Sequence, residues 1–285
     1  MAKLEAYKGV YYFWSFLPSQ PASITFLFLF LITTVLHWWR IYKLRTWFCA
    51  SFAIGCLSEV IGFAGRAVAY NKSADMGAYL VQAIFLVIAP AFFAASIYMT
   101  LSRIIRTVKG EHLSIIRINW LTRTFVIGDL ISLNVQSGAS GLNSTPKLAQ
   151  IGEYIVVAGL FMQLILLGFF FVVAIIFQKR LAQQPTQESY TTEKPWRQTL
   201  YMIYVASAFI FGRSVFRVVE YMQGHDGYSL THEWTLYTFD AVPMFIVTIM
   251  FWYWYPGYVQ PDVEDIERIE LANSGSKLSR FRWSQ

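Results

Sequence analysis

Charge is scarce in this sequence. Of its 285 residues only 14% are charged, against 56% hydrophobic and 18% aromatic, and a soluble domain carries roughly twice that share of charge. So few charges cannot cover a globule with solvated side chains, which excludes an ordinary soluble domain and implies an apolar surrounding over most of the surface. Cysteine is nearly missing as well. Cys49 and Cys56 stand about two helical turns apart on one expected helix, too far for a disulfide, and read as small apolar packing residues. The opening residues lack the compact apolar core and small-residue cut site of a cleaved leader, so the first long helix is expected to act as its own insertion signal. A GxxxxGK[ST] phosphate loop, an HExxH pair and a GxSxG elbow are all absent, which excludes the chemistries those motifs carry. The histidines His37, His112, His225 and His232 have no metal-site spacing, and neither a metal nor a cofactor is expected. The formal charge of +6 does not signal nucleic acid, because the basic residues flank apolar runs instead of forming a patch.

What the chain does have is long apolar runs. Seven are expected to cross a bilayer as helices: Ala22–Tyr42, Trp47–Tyr70, Ala78–Ile105, Trp120–Ser140, Ile151–Phe177, Thr199–Met222 and Trp234–Tyr255. The fourth is the most polar, interrupted by Arg123, Asp129, Asn134 and Gln136. Lys and Arg fix the expected orientation. Fifteen fall on one side, from Arg40, Lys43 and Arg45 through the Arg103–Arg117 and Lys179–Arg197 connections to the tail, whereas Lys3, Lys8, Lys72 and Lys147 are the four on the other. The positive-inside rule makes the richer side cytosolic. The expected fold is therefore an all-α, seven-transmembrane-helix bundle with residues 1–21 outside, the helices within 22–256 and a cytosolic tail at 257–285. Trp38, Trp39, Trp47, Trp120, Trp196, Trp252 and Trp254 fall at the cytosolic ends as an aromatic belt, and the glycosylation triplets at Asn71 and Asn143 fall in outer loops. The tail reads as a solvated segment able to meet a cytosolic partner.

Ionisable residues inside membrane helices are costly and usually face a protein interior or a cavity. Here Glu59 and Arg66 share one face of the second run, and Arg213, Arg217 and Glu220 form one stripe on the sixth. Asp129, Ser132 and Gln136 form a stripe on the fourth, and Glu233, Tyr237 and Asp240 another on the seventh, just before Pro243. The simplest arrangement turns all four stripes toward one central polar site. The competing reading is that the arginines merely neutralise the carboxylates and fix helix packing. Of the deepest charges, the four acids Glu59, Asp129, Glu220 and Asp240 against the three bases Arg66, Arg213 and Arg217 leave one carboxylate over, free to receive a cationic group or to carry a proton. Pro90 and Pro243 each remove a backbone donor and are expected to bend their helices.

The segments YYFWSFLPSQPASITFLFLFLITTVLH, EVIGFAGRAVAYN, VIAPAFFAASIYMTLSRII, GDLISLNVQSGASGL, GRSVFRVVEYMQGHDG and EWTLYTFDAVPM cover nearly the whole membrane part. Together they resemble the fungal lipid-translocating exporter family, which includes aminocholesterol-resistance proteins and a sphingoid long-chain-base exporter. The resemblance implies a seven-helix fold in the plasma membrane, amphipathic lipids or small molecules as partners, and roles in releasing or moving such lipids and in tolerance of membrane-active compounds. It also implies a shared motif set in the residues of the four stripes, offered as headgroup contacts. A seven-helix receptor or sensor of lipid stress is the alternative function, and a membrane-embedded acid–base enzyme the third. A transporter without catalytic residues is the expectation.

Overall fold

The structure, a computed structural model, describes residues 19–70, 75–142, 149–192, 194–223 and 227–259. These form α1 (Gln20–Leu44), a 3-10 turn (Trp47–Cys49), α2 (Ala50–Ala69), α3 (Met76–Thr107), α4 (Ile118–Leu142), α5 (Ala149–Gln183), a short α6 (Gln187–Thr191) and α7 (Trp196–Met222). The last expected run is broken into α8 (Tyr228–Thr231), α9 (Glu233–Leu236), a π-helical turn (Tyr237–Ala241) and α10 (Val242–Tyr253). Residues 1–18 of the expected outer segment, both glycosylation triplets and the tail from 260 lie outside the described residues.

Six segments, Gln20–Leu44, Trp47–Ala69, Met76–Thr107, Tyr154–Gln183, Trp196–Met222 and Glu233–Tyr258, are long and apolar enough to cross a bilayer. The chain is a multi-pass integral membrane protein. Its outward faces carry large apolar side chains such as Val35, Trp39 and Ile165, as a surface solvated by lipid requires. α4 has the length of a span, but its polar residues keep it below the apolarity of the other six.

α2 lies between α1 and α3, α4 between α3 and α5, and α7 packs on α5, α3 and α10. The α2–α3 contact depends on Gly65. A Cβ there would stand 3.1 Å from the Ala78 carbonyl oxygen and the Gln82 nitrogen, backbone atoms that cannot swing aside. At the basic end, Phe52 stacks on Phe251 at 3.7 Å and His37 holds the Thr248 carbonyl at 3.2 Å. The Arg40 guanidinium lies 4.6 Å over Trp252 and 4.3 Å over Tyr255, and donates to the Trp252 carbonyl and to the Tyr258 hydroxyl. These contacts clasp α1 to the end of α10.

Two expectations are corrected at this end. α5 runs to Gln183, six residues past Phe177. Trp196 is buried, its indole N–H donating to the Ser189 carbonyl, so it belongs to a small polar hub and not to an interfacial belt. The reason is the turn of helix in the connection. α6 is tied to the end of α3 by the Lys109–Glu188 ion pair at 2.8 Å and by Thr186 donating to the Val108 carbonyl, and it folds over the start of α7.

Candidate functional site

Seven residues separate Glu59 from Arg66 on α2 and Glu233 from Asp240 on the last segment, roughly 10 Å of helix in each case. The two segments run in opposite directions past one another, and their charges meet in two layers.

In the layer nearer the Arg66 end, Arg66 bonds the Glu233 carboxylate at 2.8 Å and the Tyr237 hydroxyl at 3.2 Å. Glu233 also accepts the Ser19 backbone N–H at 2.8 Å and the Tyr237 hydroxyl at 3.1 Å, and Tyr237 meets Ser23 at 3.1 Å. α1, α2 and α9 are thereby locked together, with Arg66 1% and Glu233 19% exposed. One tier in, Phe63 lies between Glu59 and Arg66 on α2, as Tyr237 lies between Glu233 and Asp240. Phe63 stacks on Phe26 and Phe30 at 5.5 and 5.7 Å, and Tyr237 stacks on Phe26 at 5.2 Å. This aromatic septum separates the first layer from the second.

The second layer is built by both prolines. Pro90 has no N–H for the carbonyl four residues back, that of Leu86. Arg213 of α7 donates to the freed oxygen at 2.5 Å. Pro243 follows the π turn, in which the Val242 N–H reaches five residues back to Tyr237. The wider turn sits where a regular helix would meet the proline ring. Within it Asp240 ion-pairs with both Arg213 and Arg217. Arg217 also holds Glu220 at 2.8 Å. Asp240, Arg213, Glu220 and Glu59 are each no more than 5% exposed.

Glu59 stands apart within this layer. Its carboxyl lies in the field of Asp240, Arg213 and Arg217, yet among the described residues no hydrogen bond or ion pair reaches it, and its Oε1 is fully buried. The layer holds two guanidinium groups against the three acids Glu59, Glu220 and Asp240, whereas Arg66 and Glu233 balance in the layer above. Within this layer the carboxylate left without a guanidinium is thus Glu59.

The stripe on α4 does not join this site, which corrects the expectation of a single centre formed by four stripes. Asp129 accepts from the Tyr98 hydroxyl of α3 at 3.0 Å, with its Oδ1 unpartnered. Ser132 bonds the Gly128 carbonyl of its own helix, and Gln136 meets Gln163 of α5 at 3.4 Å. The cause is close packing of α4 on α5. A Cβ on Gly159 would come within 2.8 Å of Gln136, and one on Gly128 within 2.6 Å of Leu166, so the polar face is drawn into that joint. Sequence reasoning did not single out Tyr98, Ser19, Ser23, Gln163 or the Leu86 carbonyl. Only the last had a signal, namely its place four residues before Pro90.

Hollows lie elsewhere: an apolar crevice of about 80 Å³ between Thr33, Leu36, His37, Ile249 and Trp252, and a cleft of about 390 Å³ around Ser189, Lys194 and Arg197.

A sequence profile described as RTA1 like protein matches residues 52–262. Protein RTA1 of Saccharomyces cerevisiae is 36% identical over 200 residues, 70% of this chain and 63% of that protein. The protoporphyrin uptake protein 1 of the same yeast is 34% identical over 200 residues, 70% of this chain and 66% of that protein. The yeast sphingoid long-chain base transporter RSB1 is 28% identical over 277 residues, 85% of this chain and 72% of that protein. The chain thus spans somewhat under two thirds of the length of Protein RTA1. No solved structure matches.

Proposed function

The chain belongs to the RTA1-like family, and from that premise we propose that it is a membrane translocase for amphipathic molecules. It holds their polar headgroups at the layer of Glu59, Arg213, Arg217, Glu220 and Asp240, beneath the lock of Arg66, Glu233 and Tyr237. The observation that carries this reading is a buried, charge-unbalanced layer in the interior of a membrane bundle. Such a layer is expensive to keep, and small residues such as Gly65 already provide the packing. In this reading α4 is the seventh span, its polar face sealed against α3 and α5. The Arg66 end faces outward and the Arg40 end the cytosol, as the Lys and Arg distribution asks. Residues 1–21 are then outside and 257–285 form a cytosolic tail. The headgroup sits in the charged layer while the tail stays among apolar helix faces, and release is to the outer leaflet of the plasma membrane. Relatives named for a sphingoid long-chain base and for protoporphyrin make an amphipathic cargo reasonable without naming this chain's own. Translocation of this kind breaks no covalent bond.

The test is lipid movement in proteoliposomes. A fluorescent sphingoid base is compared with a fluorescent phospholipid, using wild type, Glu59→Gln and Arg213→Ala. Movement by wild type that both substitutions abolish in folded protein supports the reading. No movement above empty liposomes, with or without a proton gradient, refutes it and favours a receptor that senses lipids without moving them.

A further inference from the structure

Resting on the reading of the second layer as a headgroup site, we propose that Glu59 is a proton–cation exchange site, occupied by one proton when empty and by one monocationic amine when loaded. The argument is charge balance in a buried place. Arg213 and Arg217 are matched by Asp240 and Glu220 through direct ion pairs, so the layer is neutral only when Glu59 is neutral. Ionised, Glu59 would stand 2% exposed without a donor, an arrangement that is costly in a protein interior. A proton removes that cost, and so does an ammonium group.

Among the described residues, no other group facing Glu59 takes this role. α7 presents Arg213 and Arg217, with Glu220 held by Arg217, and the π turn presents Asp240, held by both arginines. α3 packs against this part of α2 with Leu86 and Gln82, neither of which titrates near neutrality. α1 offers Thr33, whose hydroxyl donates to the Phe30 carbonyl, and its one histidine, His37, is engaged at the basic end against Thr248 and Phe52. On α2 itself, Cys56 is buried and Arg66 is held by Glu233. Asp129 is the other buried acid with an unpartnered oxygen, but it lies between α3 and α5 with Tyr98 as its donor and no cation beside it among the described residues.

The exchange is balanced in atoms and charge. An ammonium ion arriving from water pairs with the Glu59 carboxylate, the O–H bond of the carboxyl breaks, and its proton leaves to bulk solvent. One proton is released per cation bound, and the layer is neutral before and after. A neutral alcohol of the same chain length makes no such exchange.

The test is infrared difference spectroscopy of the full chain in phosphatidylcholine liposomes near neutral pH, with proton release followed by an indicator dye. Dodecylammonium is the probe and dodecanol the control. The expected result is loss of one protonated-carboxyl carbonyl band with one proton released per amine bound, and no change with dodecanol. Glu59→Gln should lose both signals, and Asp129→Asn should keep both. An unchanged acid band on adding the amine, binding without proton release, signals that survive in Glu59→Gln, or signals lost in Asp129→Asn would each overturn the proposal. The wild-type stoichiometry needs no variant, so a poorly folding substitution does not remove the test. Exchange without lipid movement would sink the translocase and leave this site standing. Movement without exchange would do the reverse.

Discussion

Replacing Asp240 by Asn should expose how the second layer balances its charge. Asp240 is 3% exposed and accepts from both Arg213 and Arg217. Removing one partner of a buried pair costs about 3–5 kcal/mol, because the charge left behind is uncompensated. Here a replacement is at hand, since Glu59 can ionise in the same layer and restore one negative charge. Some of the lost attraction returns, so Asp240→Asn alone should cost only about 2 kcal/mol by the same reckoning. Glu59→Gln alone, which neutralises an acid with no partner, should cost less than about 1 kcal/mol. In the double variant nothing is left to ionise, and the cost should reach about 4 kcal/mol. At roughly 2–4 °C per kcal/mol for a chain of this size, Asp240→Asn should lower the melting temperature by about 4–8 °C and the double variant by about 8–16 °C. Tryptophan fluorescence of the protein in detergent reads the melting, and a double-mutant cycle isolates the coupling. A double variant no less stable than the sum of the single losses would refute the reasoning, because Glu59 would then not be the layer's reserve of charge.

Other consequences are as concrete. Gly65→Val must push α2 off the Ala78 and Gln82 backbone, at a cost of about 1–3 kcal/mol; a variant that melts with wild type would mean α2 and α3 are not so closely packed. Tyr98→Phe leaves Asp129 without its donor and should destabilise by about 1–3 kcal/mol, while the amine-linked proton release stays at the wild-type value; loss of that release would place Asp129 in the exchange site after all. Pro90→Ala returns an N–H to compete with Arg213 for the Leu86 carbonyl, so lipid movement should fall while the melting temperature holds or rises, and a fall in both would make Pro90 a packing residue only. Near the Lys109 end of α3, the hydrogen bond from Lys109 holds the exposed Glu188 carboxyl below its ordinary value of 4.5. A depressed acid contributes stability above the unfolded value and loses it as pH falls through the folded one. Proteolysis of the 184–195 connection should therefore quicken as the pH falls below that ordinary value and lose that pH step in Glu188→Gln; identical pH profiles for the two proteins would contradict the pairing.

The sequence alone was enough to determine that this is a membrane protein and nearly where its helices lie. Charge is too scarce for a water-facing surface, and uninterrupted apolar runs leave the backbone no way to satisfy itself in lipid except as helix. It also determined which residues share a face, because the helical period places Glu59 with Arg66 and Arg213 with Arg217 before any partner is known. The count of four acids against three bases was equally legible, since charge is a property of composition. Partnership was not. Which acid of the charged layer is left over depends on the registers of α2, α7 and the π turn, and these follow from packing of α2 against segments more than a hundred residues further along the chain. Two prolines, readable from sequence only as bends, acquire their meaning in the bundle, where one frees the Leu86 carbonyl for Arg213 and the other lies beside the turn that aims Asp240. The same holds for α4. Its stripe reads as equivalent to the others along the chain, and only the close approach at Gly128 and Gly159 turns Asp129 and Gln136 away from the charged layers. A periodic pattern specifies a face, but the neighbour that face meets is chosen by the shape of the whole bundle.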